Sequence, residues 1–358
     1  MTGRERFIRC AVGQPIDRGV FWEDRLWSET QVRWRMEGMA ANHDFGYDFL
    51  ESECYSAVKI DYGYLPRFEE TILEDLGDKR RVIDQYGVEK LVMKNNPGLQ
   101  HFIKYPVENR RDWEKLSVRL GAENTERFGE GWIEKAATAA GTGRAPLTLG
   151  SGHLCGFFSF LRELMGDNCY LFIYDEPELI RDILNFQENR ICTMLKKAAE
   201  KIQIDRLFIW EDMCYKTGPL IGPQMFEELF LPRYAKTVSA AGECGVKVID
   251  VDSDGMIDPL LPLWLDAGVN MLHPFEVQAG MDVVNVRKKF GSNFAMRGGI
   301  DKRALAKGKK EIDAEIERIR PAYEQGRFIP CADHSIPPNV SFYNYQYYTD
   351  KLKKLLRM

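Results

Sequence analysis

The sequence has no long apolar run. Nothing in its 358 residues approaches the ~20 consecutive apolar positions that a bilayer-spanning helix needs, so no membrane association is expected. It has no Cys-x-x-Cys pair either. Its eight cysteines, Cys10, Cys54, Cys155, Cys169, Cys192, Cys214, Cys244 and Cys331, are scattered without regular spacing. That argues against a zinc ribbon or a disulfide framework and fits free thiols in a reducing compartment. Runs of Lys or Arg are missing as well, and 49 basic against 54 acidic residues leave a formal charge of -5. Such a chain offers no electrostatic footprint for nucleic acid or an anionic membrane, and a small molecule or a protein is the expected partner. No Pro/Gly/Ser linker, low-complexity tract or fixed-period repeat divides it. The opening residues, MTGRERFIRC, lack the apolar core of a secretory signal, and a cytoplasmic location is the expectation.

What remains is ordinary globular material, 44% hydrophobic and 29% charged, long enough to bury a core without staples. From Pro146 onward short apolar runs alternate with longer amphipathic stretches, the βα rhythm of a parallel sheet. The strand candidates are PLTLG from Pro146, RLFIW from Arg206, VKVIDV from Val246, NMLHPF from Asn270, FAMRGG from Phe294 and FIPCAD from Phe328. Helical patterns lie between them, at Glu176–Lys201, Pro223–Gly242, Ile257–Ala267, Met281–Phe290 and Lys302–Gln325. Adding GVFWED from Gly19 and SAVKIDYGY from Ser56 brings the strands to eight, and the α/β pattern predicts a (β/α)8 TIM barrel. Residues 50–144 are less regular and read as an elaboration, with β-rich alternation, within a single domain spanning 1–358.

Barrel chemistry gathers at the C-terminal ends of the strands, where the βα loops share one mouth. The polar residues expected there are Glu23 and Asp24, Asp61, His153, Glu211 and Asp212, Asp252 and Asp254, Glu276, Asp301, and Asp333 with His334. Many carboxylates, two histidines and few lysines suit a cation, a metal or proton transfer. The sharpest local feature is Asp252-Ser253-Asp254-Gly255, whose two carboxylates point the same way while the backbone stays extended. They could address one metal ion, or Asp254 could cap a helix beginning near Met256. Glu211 and Asp212 end a strand before the loop CYKTGPLIGP, where Tyr215 joins them, and loop-exposed acids at that place are read as functional. Gly298-Gly299-Ile300-Asp301 lacks the spacing of a phosphate loop and reads as a tight turn or as room for a bulky ligand. The aromatic tail SFYNYQYY from Ser341 reads as a final helix that latches the barrel.

The stretches APLTLGSGHLCGFFSFLRELMG, YDEPELIRDIL, EDMCYKTGPLIGPQMFEELFLPRY, DSDGMIDPLLPLWLDAGVNMLHPFE, GGID and DHSIPPNVS, with RERF and PIDR ahead of them, together resemble the uroporphyrinogen decarboxylase superfamily over nearly the whole chain. The resemblance implies a (β/α)8 barrel with a deep cleft, and either porphyrinogen decarboxylation or cobalamin-dependent methyl transfer. True decarboxylases carry an arginine-rich RQAGRY motif for a polycarboxylate substrate. Here GVFWEDRLWSET stands in its place, with Glu23 and Asp24 where positive charge is wanted. Asp61 nevertheless falls near the decarboxylase catalytic Asp, and His334 matches the His of its GHG motif. In the thiol-activating methyltransferases His-x-Cys and a later Cys hold zinc. Asp252-Ser253-Asp254 and His334 occupy those places, which implies a harder divalent ion, or a weakly held zinc, on Asp252, Asp254 and His334. The competing arrangement is a metal-free trio in which Asp252 positions His334 as a proton donor.

The reading that follows is a methyltransferase taking a methyl group from a small O-methylated donor, such as an aryl methyl ether, to a corrinoid. Since the chain has no D-x-H-x-x-G segment, the corrinoid is expected on a partner protein. Asp61, Glu211, Asp212 and His334 are the expected catalytic residues, with Glu23, Asp24, His153, Tyr215, Glu276 and Asp301 around the substrate. A homodimer paired through barrel faces is a further implication. The alternatives are a decarboxylase of uroporphyrinogen or another carboxylate, and a non-catalytic barrel that binds a tetrapyrrole or corrinoid.

Overall fold

The structure is a computed structural model that describes residues 1–23, 26–40, 52–53, 56–150 and 152–358, without the side chains of 96–99 and 153. In chain order the strands are β1 (Ser56–Ala57), β2 (Thr71–Asp75), β3 (Lys79–Ile83), β4 (Glu89–Met93), β5 (Asn96–Lys104), β6 (Leu147–Leu149), β7 (Arg206–Glu211), β8 (Cys214–Tyr215), β9 (Gly218–Pro219), β10 (Val248–Ser253), β11 (Met271–His273), β12 (Ala295–Ile300) and β13 (Phe328–Ala332). Seven of them form one parallel sheet in the order β1-β6-β7-β10-β11-β12-β13. The order follows the chain, as right-handed βα units laid side by side require. Of GVFWED, the described residues 19–23 join no ladder. They take the eighth position, where the Glu53 N–H donates to the Phe21 carbonyl at 2.7 Å on one side and the Ala332 N–H reaches the Glu23 carboxylate at 3.0 Å on the other. The architecture is the expected TIM barrel, with seven paired strands and one extended segment.

Strand alternation sorts the barrel into an inner and an outer layer. Val248, Met271, Ala295 and Ile329 join Phe7, Val20 and Trp22 in an apolar cluster inside the barrel. Their neighbours Ile249, Leu272, Met296 and Phe328 belong to the large core between sheet and helices. The N-terminal helix Gly3–Val12 supplies Phe7, Cys10 and Ala11 to the inner cluster and plugs the barrel floor. Thr2 caps that helix through the Glu5 N–H, and Gly13 ends it in the left-handed region at φ 77°.

The helices fall where the apolar period placed them, with breaks. Gly308 splits the Lys302–Gln325 pattern into Lys302–Lys307 and Lys309–Tyr323, and the segment after Asp254 is a turn, the next helix beginning only at Leu261. The β-rich part of 50–144 is an antiparallel sheet, β2-β3-β4-β5. Its strands keep their side chains half-buried or exposed, with Ile72, Leu73, Phe102 and Ile103 facing solvent. The chain then returns through the helix Arg110–Ser117, whose Trp113 packs edge-on against Phe160 and Phe186. No helix among the described residues is long and apolar enough to cross a membrane.

Candidate functional site

Inward positions on β7, β10, β11 and β12 carry a buried polar layer above the apolar plug. Asp250 accepts from Arg206 Nε at 2.8 Å and lies 2.8 Å from His273 Nδ1, while His273 Nε2 lies 3.3 Å from Asp252. Burial pushes the Asp250 carboxyl up, but Arg206 and His273 beside it win and hold it well below the usual carboxylate range. Trp22 stacks against both the Arg206 and Arg297 guanidinium groups, closing the layer from the N-terminal segment. Register explains the pairing: Asp252 stands directly beside His273 on the neighbouring strand.

Asp254 is the next inward position along β10 and reaches the mouth, where its Oδ2 lies 3.5 Å from His334 Nε2. Both side chains are partly open to solvent, at 40% and 32%. Two of the three side chains expected at a metal therefore meet, and the third does not. Asp252 is almost fully buried and turned to His273, and among the described residues no three His, Cys, Asp or Glu side chains are arranged to hold a metal ion. The residues present do not fit the expected three-ligand centre. Asp254 caps no helix, and the carboxylate beside His334 is Asp254, not Asp252.

The Asp254–His334 pair belongs to a ring of polar side chains over the ends of β10 to β13. Glu276 accepts from the Gly255 N–H at 3.2 Å and lies 3.6 Å from Lys302 Nζ, which is 4.0 Å from Asp333. Asp333 is sealed and accepts from the Val277 N–H at 2.8 Å and the Lys302 N–H at 3.2 Å. Burial pushes its carboxyl up to about 6, against the pull of Lys302 and those two N–H groups. The floor of the ring is rigid. Gly298, at φ 107°, approaches the Pro274 carbonyl so closely that a Cβ would lie 1.9 Å from it. Gly298 thus serves close backbone approach and Gly299 close packing against the Val283 side chain, not ligand room.

The other half of the mouth, at β1, β6 and β7, lies under the β3–β4 turn. Asp61 lines a cavity of about 380 Å³ with Tyr62, Gly152, Tyr86 and Glu163. Its oxygens accept from the Gly63 N–H at 2.8 Å and from Arg67 at 3.0 Å. Asp212 lines an adjoining cavity of about 350 Å³ that shares Tyr86 and Glu163, and it pairs with Arg162. The β8–β9 hairpin links the halves, the Tyr215 carbonyl accepting from the Met256 N–H at 2.9 Å while the Tyr215 ring stays exposed.

Three expected site residues turn out to be engaged elsewhere. Glu211 is buried and accepts from the N–H groups of Phe157, Phe158 and Ser159 at 2.7, 2.9 and 3.0 Å and from the Tyr234 hydroxyl at 2.5 Å. It anchors the start of the helix Phe158–Met165, and burial outweighs these four donors to push its carboxyl up to about 7. Glu23 is also sealed, bonded to the Ala332 N–H and to the Tyr345 and Tyr348 hydroxyls of the last helix, Phe342–Leu356. Asp301 caps the helix Lys302–Lys307 through the Arg303 N–H and is held by the Arg303 guanidinium. Asp24 and the His153 side chain lie outside the described residues. Asp250, His273 and Lys302 escaped the sequence reading. The strand parity that placed Asp252 and Asp254 inward also places Asp250, and His273 lies within the strand candidate NMLHPF, so a signal existed for both.

Residues 103–355 match the family model described as Uroporphyrinogen decarboxylase (URO-D). No curated protein matches the chain. Among solved structures, the chain is similar to a methyltransferase from Methanosarcina mazei, with TM-score 0.64 and 14% identity over 99% of this chain and 99% of that one. It is distantly similar to a B12-independent methionine synthase from Shewanella sp. W3-18-1, with TM-score 0.33 and 12% identity over 63% of this chain and 68% of that one, a likeness too low to carry an argument. At 14% identity the likeness to the Methanosarcina mazei methyltransferase is one of fold.

Proposed function

The chain belongs to the uroporphyrinogen decarboxylase family, and from that premise we propose that it is a methyltransferase, taking a methyl group from a small O-methylated compound, such as an aryl methyl ether, to the corrinoid of a partner protein. The observation that carries this reading is the Asp254–His334 pair set in the polar ring at the ends of β10 to β13. Breaking a methyl–oxygen bond leaves charge on the oxygen, and a partly exposed imidazole beside a carboxylate can donate to it. The corrinoid is the second substrate, which accepts the methyl group.

The same ring argues against a porphyrinogen. A polycarboxylate needs several guanidinium groups free to pair with it, yet Arg67 is taken by Asp61 and Arg162 by Asp212, and the ring sets Asp254, Glu276 and Asp333 against one lysine and one histidine. The acidic Glu23, by contrast, carries none of that argument, because it is sealed behind the last helix.

The test incubates the protein with a reduced corrinoid protein and a panel of methyl ethers, reading the corrinoid absorbance for methylation. Methylation with at least one ether is expected. Its absence across the panel, with carbon dioxide released from porphyrinogen, refutes the proposal in favour of decarboxylation. Tetrapyrrole binding with neither product refutes it in favour of a binding protein.

A further inference from the structure

Lys302 holds an ammonium group largely out of water, its side chain 15% exposed, with its nearest carboxylate oxygens at 3.6 Å on Glu276 and 4.0 Å on Asp333. Both separations exceed hydrogen-bond length. Both carboxylates are tethered by other donors: Glu276 through its other oxygen by the Gly255 N–H, and Asp333 by the N–H groups of Val277 and of Lys302 itself. An ammonium in this state keeps its positive charge compensated at arm's length while its donors remain available. It also stands over the end of β12, between the β11 and β13 ends. His334 follows Asp333 directly in the chain, and Asp254 precedes the Gly255 that anchors Glu276, so Lys302 and the Asp254–His334 pair stand over the same ends of neighbouring strands.

We propose that Lys302 binds the leaving oxygen of the methyl donor, an inference that rests on the methyl-transfer reading. Its ammonium donates to the ether oxygen of the bound donor and holds the oxyanion that remains. In the step, the carbon–oxygen bond breaks with its electron pair staying on oxygen. The methyl carbon takes a new electron pair from the reduced corrinoid, the nucleophile that the partner supplies. Lys302 keeps its proton and stabilises the anion by charge and hydrogen bonding. The product oxygen takes its proton afterwards, from His334 or water. The ligand class this selects is a phenol or comparably acidic alcohol carrying one O-methyl group, because such an oxygen leaves as a stable anion.

The probe is 4-nitrophenol, whose phenolate absorbs visible light, so that its ionisation can be followed while bound to the protein without corrinoid. In the wild type the bound phenol should ionise about one pH unit below the free compound, a roughly tenfold preference for the anion. Lys302→Met and Lys302→Gln should abolish that shift and Lys302→Arg retain part of it, with thermal melting confirming that each variant is folded. His334→Gln should retain most of it. Absence of binding to the wild type, an unshifted bound phenol, or a shift that survives in the folded Met or Gln variant overturns the proposal. The outcome stands apart from turnover. A Lys302-dependent shift in a protein that methylates no corrinoid would sink the methyl-transfer reading and leave the oxyanion site, whereas turnover undiminished in Lys302→Met would do the reverse.

Discussion

Replacing Glu211 by Gln separates a structural from a catalytic carboxylate. The wild-type group accepts four donors, the N–H groups of Phe157, Phe158 and Ser159 and the Tyr234 hydroxyl. Glutamine keeps the shape but has one acceptor and one donor end. Its amide is best placed at the Oε1 position, where the Tyr234 hydroxyl can rotate to accept, leaving the Phe157 N–H facing a donor. An unsatisfied buried N–H costs about 1–3 kcal/mol, and the remaining bonds lose their charge assistance. Against this stands the burial of charge that pushes the carboxyl up to about 7, a cost the amide does not bear. The balance is a loss of about 2–3 kcal/mol near neutral pH, which in a chain of this length lowers the melting temperature by roughly 3–4 °C. The sign of the pH dependence follows from the raised pKa. The native state binds a proton that the unfolded chain releases at an ordinary carboxyl pKa of 4.5. The stability from this group is therefore full below that value and lost as pH rises through about 7, by up to about 3 kcal/mol. Melting of wild type and variant by calorimetry between pH 5 and 8 should show that slope in the wild type and its loss in Glu211→Gln. A variant with unchanged melting at every pH and methyl transfer reduced a thousandfold would refute the structural assignment and return Glu211 to the catalytic set.

Asp254→Asn and His334→Gln touch partly exposed side chains, so melting should change by less than about 1 kcal/mol equivalent while methyl transfer falls roughly 10²–10⁴-fold. Equal losses of stability and turnover would instead mark the pair as structural. Tyr348→Phe removes one donor from the sealed Glu23 carboxylate and should cost about 1–3 kcal/mol by urea unfolding, with the Michaelis constant for the donor unmoved. A changed Michaelis constant at full stability would place Glu23 at the substrate after all. Gly298→Ala forces a Cβ to within 1.9 Å of the Pro274 carbonyl at a φ of 107°. A loss above about 3 kcal/mol or failure to fold is expected, and a normally stable variant would contradict the close approach of β11 and β12.

The cleft between the β2–β5 sheet and the barrel is the part of the mouth with the least regular sequence behind it. Tyr86, in the β3–β4 turn, lines both the Asp61 and the Asp212 cavities. The sheet therefore forms a wall of the site, although few of its own side chains are buried. Asp61 and Asp212 face this wall with an arginine on each, which makes them anchors for the cleft's charge balance as well as candidates for contact with substrate.

Local pattern was enough for the barrel. Short apolar runs and βα spacing placed six strands from Pro146 onward, because a parallel barrel strand is buried on both faces and the turns after it are polar. Strand parity put Asp252 and Asp254 on one inward face, and the aromatic tail was legible as a packed helix. What only the tertiary structure decided is which group each carboxylate meets. Asp252 is claimed by His273 through a strand register that pairs the two residues across β10 and β11. Glu211 is claimed by a helix start more than fifty residues earlier in the chain, and Glu23 by tyrosines more than three hundred residues later. Lys302 was invisible because its meaning lies in the distances to Glu276 and Asp333 from two other strand ends. A carboxylate or an ammonium looks the same in sequence whether it is spent or available. Only the neighbours that folding brings to it, and whether they reach within hydrogen-bond length, separate a sealed anchor from a group open to a substrate.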